Sequence, residues 1–200
     1  MRRLILLFEL LIRSVLPPFY SFELIERICK RKLEKRPGDN EVLWILANFH
    51  VWYGKYFEAQ EELETIRRMG RNKKSVTLLL SDVYFRTGQY EKVQELLRNS
   101  KVLSDADKEN YHLGDSLIEL EQFDEATHYL GLYLKHHKPK SYIPFVRYGY
   151  AAFRKGDYEE ALKAYKDAER LNPSSEEIKD SLDLCRARLA AREDAGCGRS

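Results

Sequence analysis

The chain has 200 residues, of which 44% are hydrophobic and 33% are charged, which is enough apolar material for one domain or a short repeat array. The charges of its 34 basic and 32 acidic residues nearly cancel. This balance excludes a disordered chain of one charge sign and argues against a nucleic-acid-binding protein. Three cysteines without a CxxC pair predict neither a disulfide framework nor a zinc site. The simplest expectation from this cysteine usage is a cytoplasmic protein.

The N-terminus carries an apolar run, residues 4–16, after Met1 and two arginines. Glu9 and Arg13 interrupt the run, and Pro17 follows it instead of a small-residue cleavage site, which argues against a signal peptide. It is also shorter than the roughly 20 residues that a membrane-spanning helix needs. Two interpretations stay open: a buried first helix, or a helix that docks on a membrane surface or on a partner.

The docking interpretation combines apolar residues of this run with basic residues of the helix that follows. It predicts contacts by Leu4, Leu7, Phe8, Leu11, Lys30, Arg31 and Arg36. Basic side chains at such a rim are attracted to anionic lipid. Cations at a helix C-terminus also satisfy the helix dipole, which is the alternative explanation.

A small turn followed by an aromatic residue recurs four times along the chain. The aromatic residues, which are 34, 33 and 35 residues apart, are Tyr56, Tyr90, Phe123 and Tyr158. Three positions after each aromatic comes a small or β-branched residue: Ala59, Val93, Ala126 and Ala161. Upstream of each turn a second apolar stripe contains a small residue: Ala47, Ser81, Gly114 and Gly149. These intervals keep to one face of an α-helix, so each copy is predicted to be helix, tight turn, helix.

These residues resemble the tetratricopeptide repeat family, most closely over residues 142–175, where Gly149, Gly156, Tyr158 and Pro173 match the pattern of the family. The resemblance covers four copies, residues 40–73, 74–106, 107–140 and 142–175. It implies an all-α fold, a right-handed solenoid of antiparallel helix hairpins. Residues 1–39 are interpreted as an apolar helix pair that is either a degenerate fifth copy or a docking segment.

Two residues depart from the pattern of the family. His50 stands where a large aromatic is usual, and Glu121 replaces the turn glycine of the third copy. After the last copy, residues 176–192 are predicted to form a capping helix, with Ser174 at capping-box spacing from Glu177, and residues 193–200 a disordered tail.

The sequence contains no phosphate-binding, dinucleotide-binding or hydrolase motif. We therefore predict no catalytic residue, no metal and no cofactor, and a protein that is not an enzyme. His50 is expected to be a buried core histidine rather than a ligand. Carboxylates such as Glu62 are expected on a solvated helix face.

In the resembled family, the first helix of each pair lines a concave wall. Carried onto this chain, the wall consists of Trp44, Asn48, Trp52, Phe85, Arg86, Tyr111, Asp115, Arg147, Tyr150, Phe153 and Arg154. Aromatic and arginine side chains often carry the energy of protein interfaces. The predicted function is a non-catalytic scaffold that holds a peptide or helix of a protein partner, and no nucleic acid. The alternatives are a peripheral membrane adaptor and a scaffold that assembles with copies of itself.

Overall fold

A computed structural model describes residues 18–71, 74–100, 103–105 and 107–197 of the chain. All regular secondary structure in these ranges is α-helical. The helices are α1 (Pro18–Lys35), α2 (Asn40–Trp52), α3 (Tyr56–Arg68), α4 (Lys74–Arg86), α5 (Tyr90–Ser100), α6 (Glu109–Glu119), α7 (Phe123–His137), α8 (Ile143–Lys155), α9 (Tyr158–Leu171) and α10 (Glu176–Cys197). Within the described residues, no helix combines the length and the apolar character that crossing a membrane requires.

The chain divides into two compact units, the first ending at Thr87 and the second beginning at Gly88. The first unit contains α1 to α4 and the second contains α5 to α10. The second predicted repeat is divided between the units, because α4 belongs to one and α5 to the other. The other three predicted repeats each lie within one unit.

The α2–α3 hairpin is the central element of the first unit. Its first helix begins after Asp39, whose carboxylate accepts hydrogen bonds from the backbone amides of Glu41 and Val42 and so satisfies two free donors of the helix end. The turn between the helices contains Gly54 at a φ of 73°, a left-handed conformation that glycine adopts without a steric cost. The predicted inward stripe of the second helix is buried: Ala59, Leu63 and Ile66.

Helix α1 packs on α2 through an apolar cluster. Cys29 of α1 is buried with Val42 and Leu46 of α2, and Ile25 and Leu33 pack against this cluster. Burial of such side chains stabilises a contact by about 1.5–3 kcal/mol for each large residue. Helix α1 is therefore held to the hairpin by its inner face.

His50 is a buried polar residue in the first unit and is only 1% exposed. Its Nδ1 lies 2.9 Å from the Glu62 carboxylate of α3, and its Nε2 lies 3.7 Å from the Glu26 carboxylate of α1. Burial raises the pKa of the Glu62 carboxyl, and the hydrogen bond to His50 opposes that shift. The expectation of a buried core histidine is confirmed, whereas the expectation that Glu62 is solvated is wrong, because it pairs with this imidazole.

In the second unit, paired helices approach each other closely at two glycines. A Cβ added at Gly114 would lie 2.6 Å from Cγ of Leu130, and one added at Gly149 would lie 3.1 Å from the ring of Tyr165. Both distances are shorter than ordinary van der Waals contact. The small residue that recurs at this position of the first helix therefore permits the close approach of the paired helix at both glycines.

The turn between α6 and α7 adopts the left-handed conformation without a glycine. Glu121 has a φ of 57°, whereas Gly156 has a φ of 92° in the corresponding turn between α8 and α9. This conformation costs a residue with a Cβ about 1–2 kcal/mol. The third repeat therefore keeps the turn of the family at the cost of local strain.

Helix α10 packs on α9 and completes the core of the second unit. The cluster at this contact consists of Ala152, Ala161, Tyr165, Ala168, Ile178, Leu182 and Cys185. The structure differs from the prediction at the end of this helix: α10 continues past residue 192 to Cys197, so residues 193–197 are helical rather than a disordered tail. The residue that caps the start of α10 is Ser175 rather than the predicted Ser174. The hydroxyl of Ser175 accepts a hydrogen bond from the backbone amide of Ile178 at 3.4 Å.

Candidate partner-binding surface

Three of the predicted binding residues lie on one face of α2. Trp44, Asn48 and Trp52 are four residues apart, which keeps them in line along the helix. Trp44 is half-buried, the side-chain amide of Asn48 donates to its carbonyl oxygen at 2.7 Å, and Trp52 is 58% exposed. The large apolar surface that this face presents to solvent therefore belongs to Trp52.

Arg86, at the end of α4, lies over the aromatic residue that begins α3. Its guanidinium carbon is 5.6 Å from the ring centre of Tyr56, and its Nη1 is 3.4 Å from the hydroxyl of that tyrosine. Asp82, one turn earlier on α4, accepts a hydrogen bond from Nε at 3.0 Å. These contacts orient the guanidinium while 48% of its side chain stays exposed. The neighbouring Phe85 is half-buried.

The second unit repeats this arrangement at the end of α8. The guanidinium carbon of Arg154 lies 4.4 Å from the ring centre of Phe123, the first residue of α7, and 5.6 Å from that of Tyr150. Its Nη1 donates to the Tyr150 hydroxyl at 2.6 Å, and its Nη2 lies 3.7 Å from the Glu121 carboxylate. The two aromatic rings are 6.3 Å apart in an edge-to-face arrangement. We call Phe123, Tyr150 and Arg154 the Arg154 cluster.

Arg147 joins α8 to α6 by pairing with two carboxylates. It forms an ion pair with Asp115, which is 8% exposed, and its Nη2 lies 2.6 Å from the Glu119 carboxylate. Burial raises the pKa of Asp115, and the charge of Arg147 opposes this shift. Burial also raises the pKa of Tyr111 to about 12, and its hydroxyl donates to Asp115. These predicted binding residues thus hold two helices together, and little of Asp115 is left for a partner.

Phe153 also differs from the prediction. Its ring lies 5.2 Å from that of Tyr158, and it packs against the core cluster of α8, α9 and α10. It is therefore partly buried against that core rather than fully open to a partner. Position on a first helix does not by itself expose a side chain.

The predicted docking residues divide into three groups. Those of the apolar run, which lie outside the described residues, are Leu4, Leu7, Phe8 and Leu11. Arg31 and Arg36 are exposed, the first on α1 and the second just after it. The ammonium of Lys30 instead lies 2.6 Å from the Glu26 carboxylate, one turn earlier on the same helix.

Two residues of the candidate surface were missed by sequence reasoning. Tyr56 and Phe123 were assigned only a packing role, yet each supports an arginine of the next first helix. The signal was present in the spacing, because Arg86 and Arg154 follow these aromatic residues by 30 and 31 positions.

The sequence matches two family models. The model of the tetratricopeptide repeat matches residues 111–176, and that of anaphase-promoting complex, cyclosome, subunit 3 matches residues 68–133. Each of them covers 66 of the 200 residues. No curated protein matches the sequence.

Solved structures of tetratricopeptide repeat proteins share the fold. YrrB, described as a TPR protein with an unusual peptide-binding site, is 20% identical, with a TM-score of 0.69 over 92% of this chain and 87% of YrrB. MamA from MSR-1 is 22% identical, with a TM-score of 0.67 over 78% of this chain and 90% of MamA. A MamA fragment from Desulfovibrio magneticus RS-1 is 14% identical, with a TM-score of 0.62 over 80% of this chain and 97% of the fragment.

At these identities the structural likeness establishes the fold alone, and it confirms the predicted class, an all-α repeat solenoid of helical hairpins. The family models add sequence evidence over residues 68–176. The family models and the shared fold together support assignment of the chain to the tetratricopeptide repeat family.

Proposed function

We propose that this protein is a non-catalytic scaffold that binds a peptide or helix of a protein partner through the exposed faces of its first helices. The observation that carries the proposal is the exposure of anchor residues on those faces. Trp52 is 58% exposed and Tyr150 is 36% exposed, and an arginine is held beside Tyr150. Tryptophan, tyrosine and arginine dominate the energetics of protein interfaces.

The two arginines that lie over aromatic rings strengthen this proposal. Arg86 and Arg154 keep 48% and 39% of their side chains exposed although their guanidinium groups are already oriented by neighbours. A side chain ordered before binding loses less conformational entropy when a partner arrives. Each can donate to a carboxylate or to a backbone carbonyl of a bound peptide.

The alternative of self-assembly rests on fewer observations. Self-assembly through the first helix depends on residues 1–18, almost all of which lie outside the described residues, and it stays a prediction. The cytoplasmic location also stays a prediction.

Peptide display provides the test. A random peptide library is selected on the immobilised full chain, and the affinity of the selected peptides is measured by fluorescence anisotropy. We expect Trp52→Ala, or the pair Tyr150→Ala and Arg154→Ala, to weaken binding about tenfold or more, as is typical when an anchor is truncated.

The matched control is Phe57→Ala. Phe57 is 73% exposed, more than Trp52, but it lies on the second helix of its hairpin. Peptides should bind this variant as tightly as the wild type. The proposal fails if no peptide is selected, if the first-helix variants bind normally, or if Phe57→Ala weakens binding equally.

A further inference from the structure

Helix α1 has two different long faces. Its inner face is buried on α2, and the opposite face carries Leu24, Arg27, Ile28, Arg31 and Lys35, at helical spacings of three and four residues. All five of these residues are exposed, and the two apolar ones are each 39% exposed. We call these five residues the outer stripe of α1. From Leu24 to Lys35 the stripe is about 17 Å long.

The stripe is basic and its charges are not neutralised within the described structure. No carboxylate of a described residue lies within ion-pair distance of Arg27, Arg31 or Lys35. Lys30 shows the contrast, because it lies off the stripe and pairs with Glu26 at 2.6 Å. The exposed acidic residues of this helix, Glu23 and Glu34, lie about a quarter of a turn away from the centre of the stripe.

Singly exposed leucine and isoleucine are common on protein surfaces, so what distinguishes this face is their place between cations that have no carboxylate partner among the described residues. The same combination suits an anionic bilayer, where arginine and lysine reach the headgroups and apolar side chains enter the interface. A lipid surface requires no shape complementarity from a single convex helix face, whereas a protein helix would need a groove. The sequence that directly precedes α1 adds ten apolar residues between Leu4 and Leu16, so a basic and an apolar signal are adjacent in the chain. Stable attachment to membranes usually requires two such signals.

We propose that the outer stripe of α1 docks the protein on an anionic membrane surface. Arg27, Arg31 and Lys35 contact lipid phosphates and carboxylates, and Leu24 and Ile28 enter the headgroup region. Docking uses the face of α1 that points away from α2, so it leaves the packing of this helix intact. Compared with the basic docking residues expected from sequence, this proposal keeps Arg31 and leaves out Lys30 and Arg36. It adds Leu24, Arg27, Ile28 and Lys35.

The test is co-sedimentation of the full chain with vesicles of phosphatidylcholine alone or with about 30% phosphatidylserine. We expect binding to the anionic vesicles that weakens as salt is raised. The triple variant Arg27→Gln, Arg31→Gln, Lys35→Gln should lose about a hundredfold in partitioning, since each of three cations contributes about fivefold at such a surface. Leu24→Ser with Ile28→Ser should also lose binding without any change of charge.

The matched control removes three cations from the exposed side of α9: Lys163→Gln, Lys166→Gln and Arg170→Gln. This variant has the same net charge as the triple stripe variant and should sediment almost as the wild type does. Three outcomes would overturn the proposal. The first is that the wild type does not bind anionic vesicles. The second is that the α1 and α9 variants lose binding equally. The third is that the stripe residues are needed to bind a synthetic acidic amphipathic peptide but are not needed to bind the vesicles. The last outcome would assign the stripe to a protein partner.

Discussion

The hairpins α2–α3 and α8–α9 follow the same pattern and fill it with different side chains. Where the first has Ala47 and Leu63, the last has Gly149 and Tyr165, and all four are buried. Where the first has His50, the last has Ala152, and both are 1% exposed. One hairpin therefore contains a buried polar pair and the other an aromatic ring against a glycine.

The difference shows that the repeat specifies positions but not the residues that fill them. Between these two hairpins, the larger second-helix residue faces the smaller first-helix residue, since the glycine of the last hairpin has little room for a Cβ beside the ring of Tyr165. A polar residue at a core position is matched by a hydrogen-bonding partner. Each hairpin is a matched set, and single substitutions should break one set without affecting the other.

The largest expected effect is that of His50→Ala. The change leaves a cavity and a buried Glu62 carboxylate without its partner, which should lower the free energy of unfolding of the first unit by about 3 kcal/mol. Tryptophan fluorescence in a urea titration measures this directly, because both tryptophans of the chain, Trp44 and Trp52, lie on α2.

The control for this substitution is His136→Ala, which removes an exposed imidazole from the end of α7. Its fluorescence transition should coincide with that of the wild type. A second variant, Glu62→Gln, tests the pairing itself, since His50→Ala should cost less in that background. Equal costs in both backgrounds would show that the imidazole and the carboxylate do not interact.

The repeat period and the buried stripes were predictable from sequence, because helical spacing determines which side chains face inward. The burial of His50 followed from the same spacing, but its partners did not. Glu62 lies on the next helix, and its position is equally compatible with a solvated face. Whether the Glu62 carboxylate faces solvent or pairs with His50 depends on how the two helices pack.

The next largest effect is expected from Gly149→Ala. Overpacking against the Tyr165 ring should cost about 1–3 kcal/mol, to be measured by urea unfolding of the full chain followed by circular dichroism. Tyr165→Leu converts the contact to the pair that the first hairpin uses, alanine against leucine. In that background Gly149→Ala should cost much less or stabilise, and an undiminished cost would refute the idea of matched sets.

Gly131→Ala is the matched control for overpacking. Gly131 lies inside α7, and a Cβ there would lie 3.5 Å from the ring of Tyr148, which is ordinary contact. Alanine in a helix interior is about 1 kcal/mol more favourable than glycine, so this variant should be stabilised. A loss of stability similar to that of Gly149→Ala would mean that glycine is needed for a reason other than close approach.

The candidate binding surface was only partly predictable. The resemblance to the repeat family placed Trp52 and Arg154 on the binding faces of first helices, and the structure exposes both. The same resemblance also selected Asp115, which is buried in its ion pair with Arg147, and Phe153, which is partly buried against the core. A residue on a first helix can face either solvent or the next hairpin. The ion pair between Asp115 and Arg147 joins residues that are 32 positions apart. Periodicity within one helix contains no information about that contact.

The smallest effect concerns the turns, where Glu121 occupies the place that Gly156 has in the last hairpin. Glu121→Gly should stabilise the second unit by about 0.5–1 kcal/mol, because relief of the left-handed strain exceeds the entropy that glycine adds to the unfolded chain. The lost contact with Arg154 subtracts little, since Glu121 is 76% exposed and 3.7 Å from the guanidinium. The reciprocal change, Gly156→Glu, should destabilise by about 1 kcal/mol, and the two shifts are compared by circular dichroism in urea. If both substitutions destabilise, glutamate is preferred at residue 121 for its contacts, and the two turns are not equivalent.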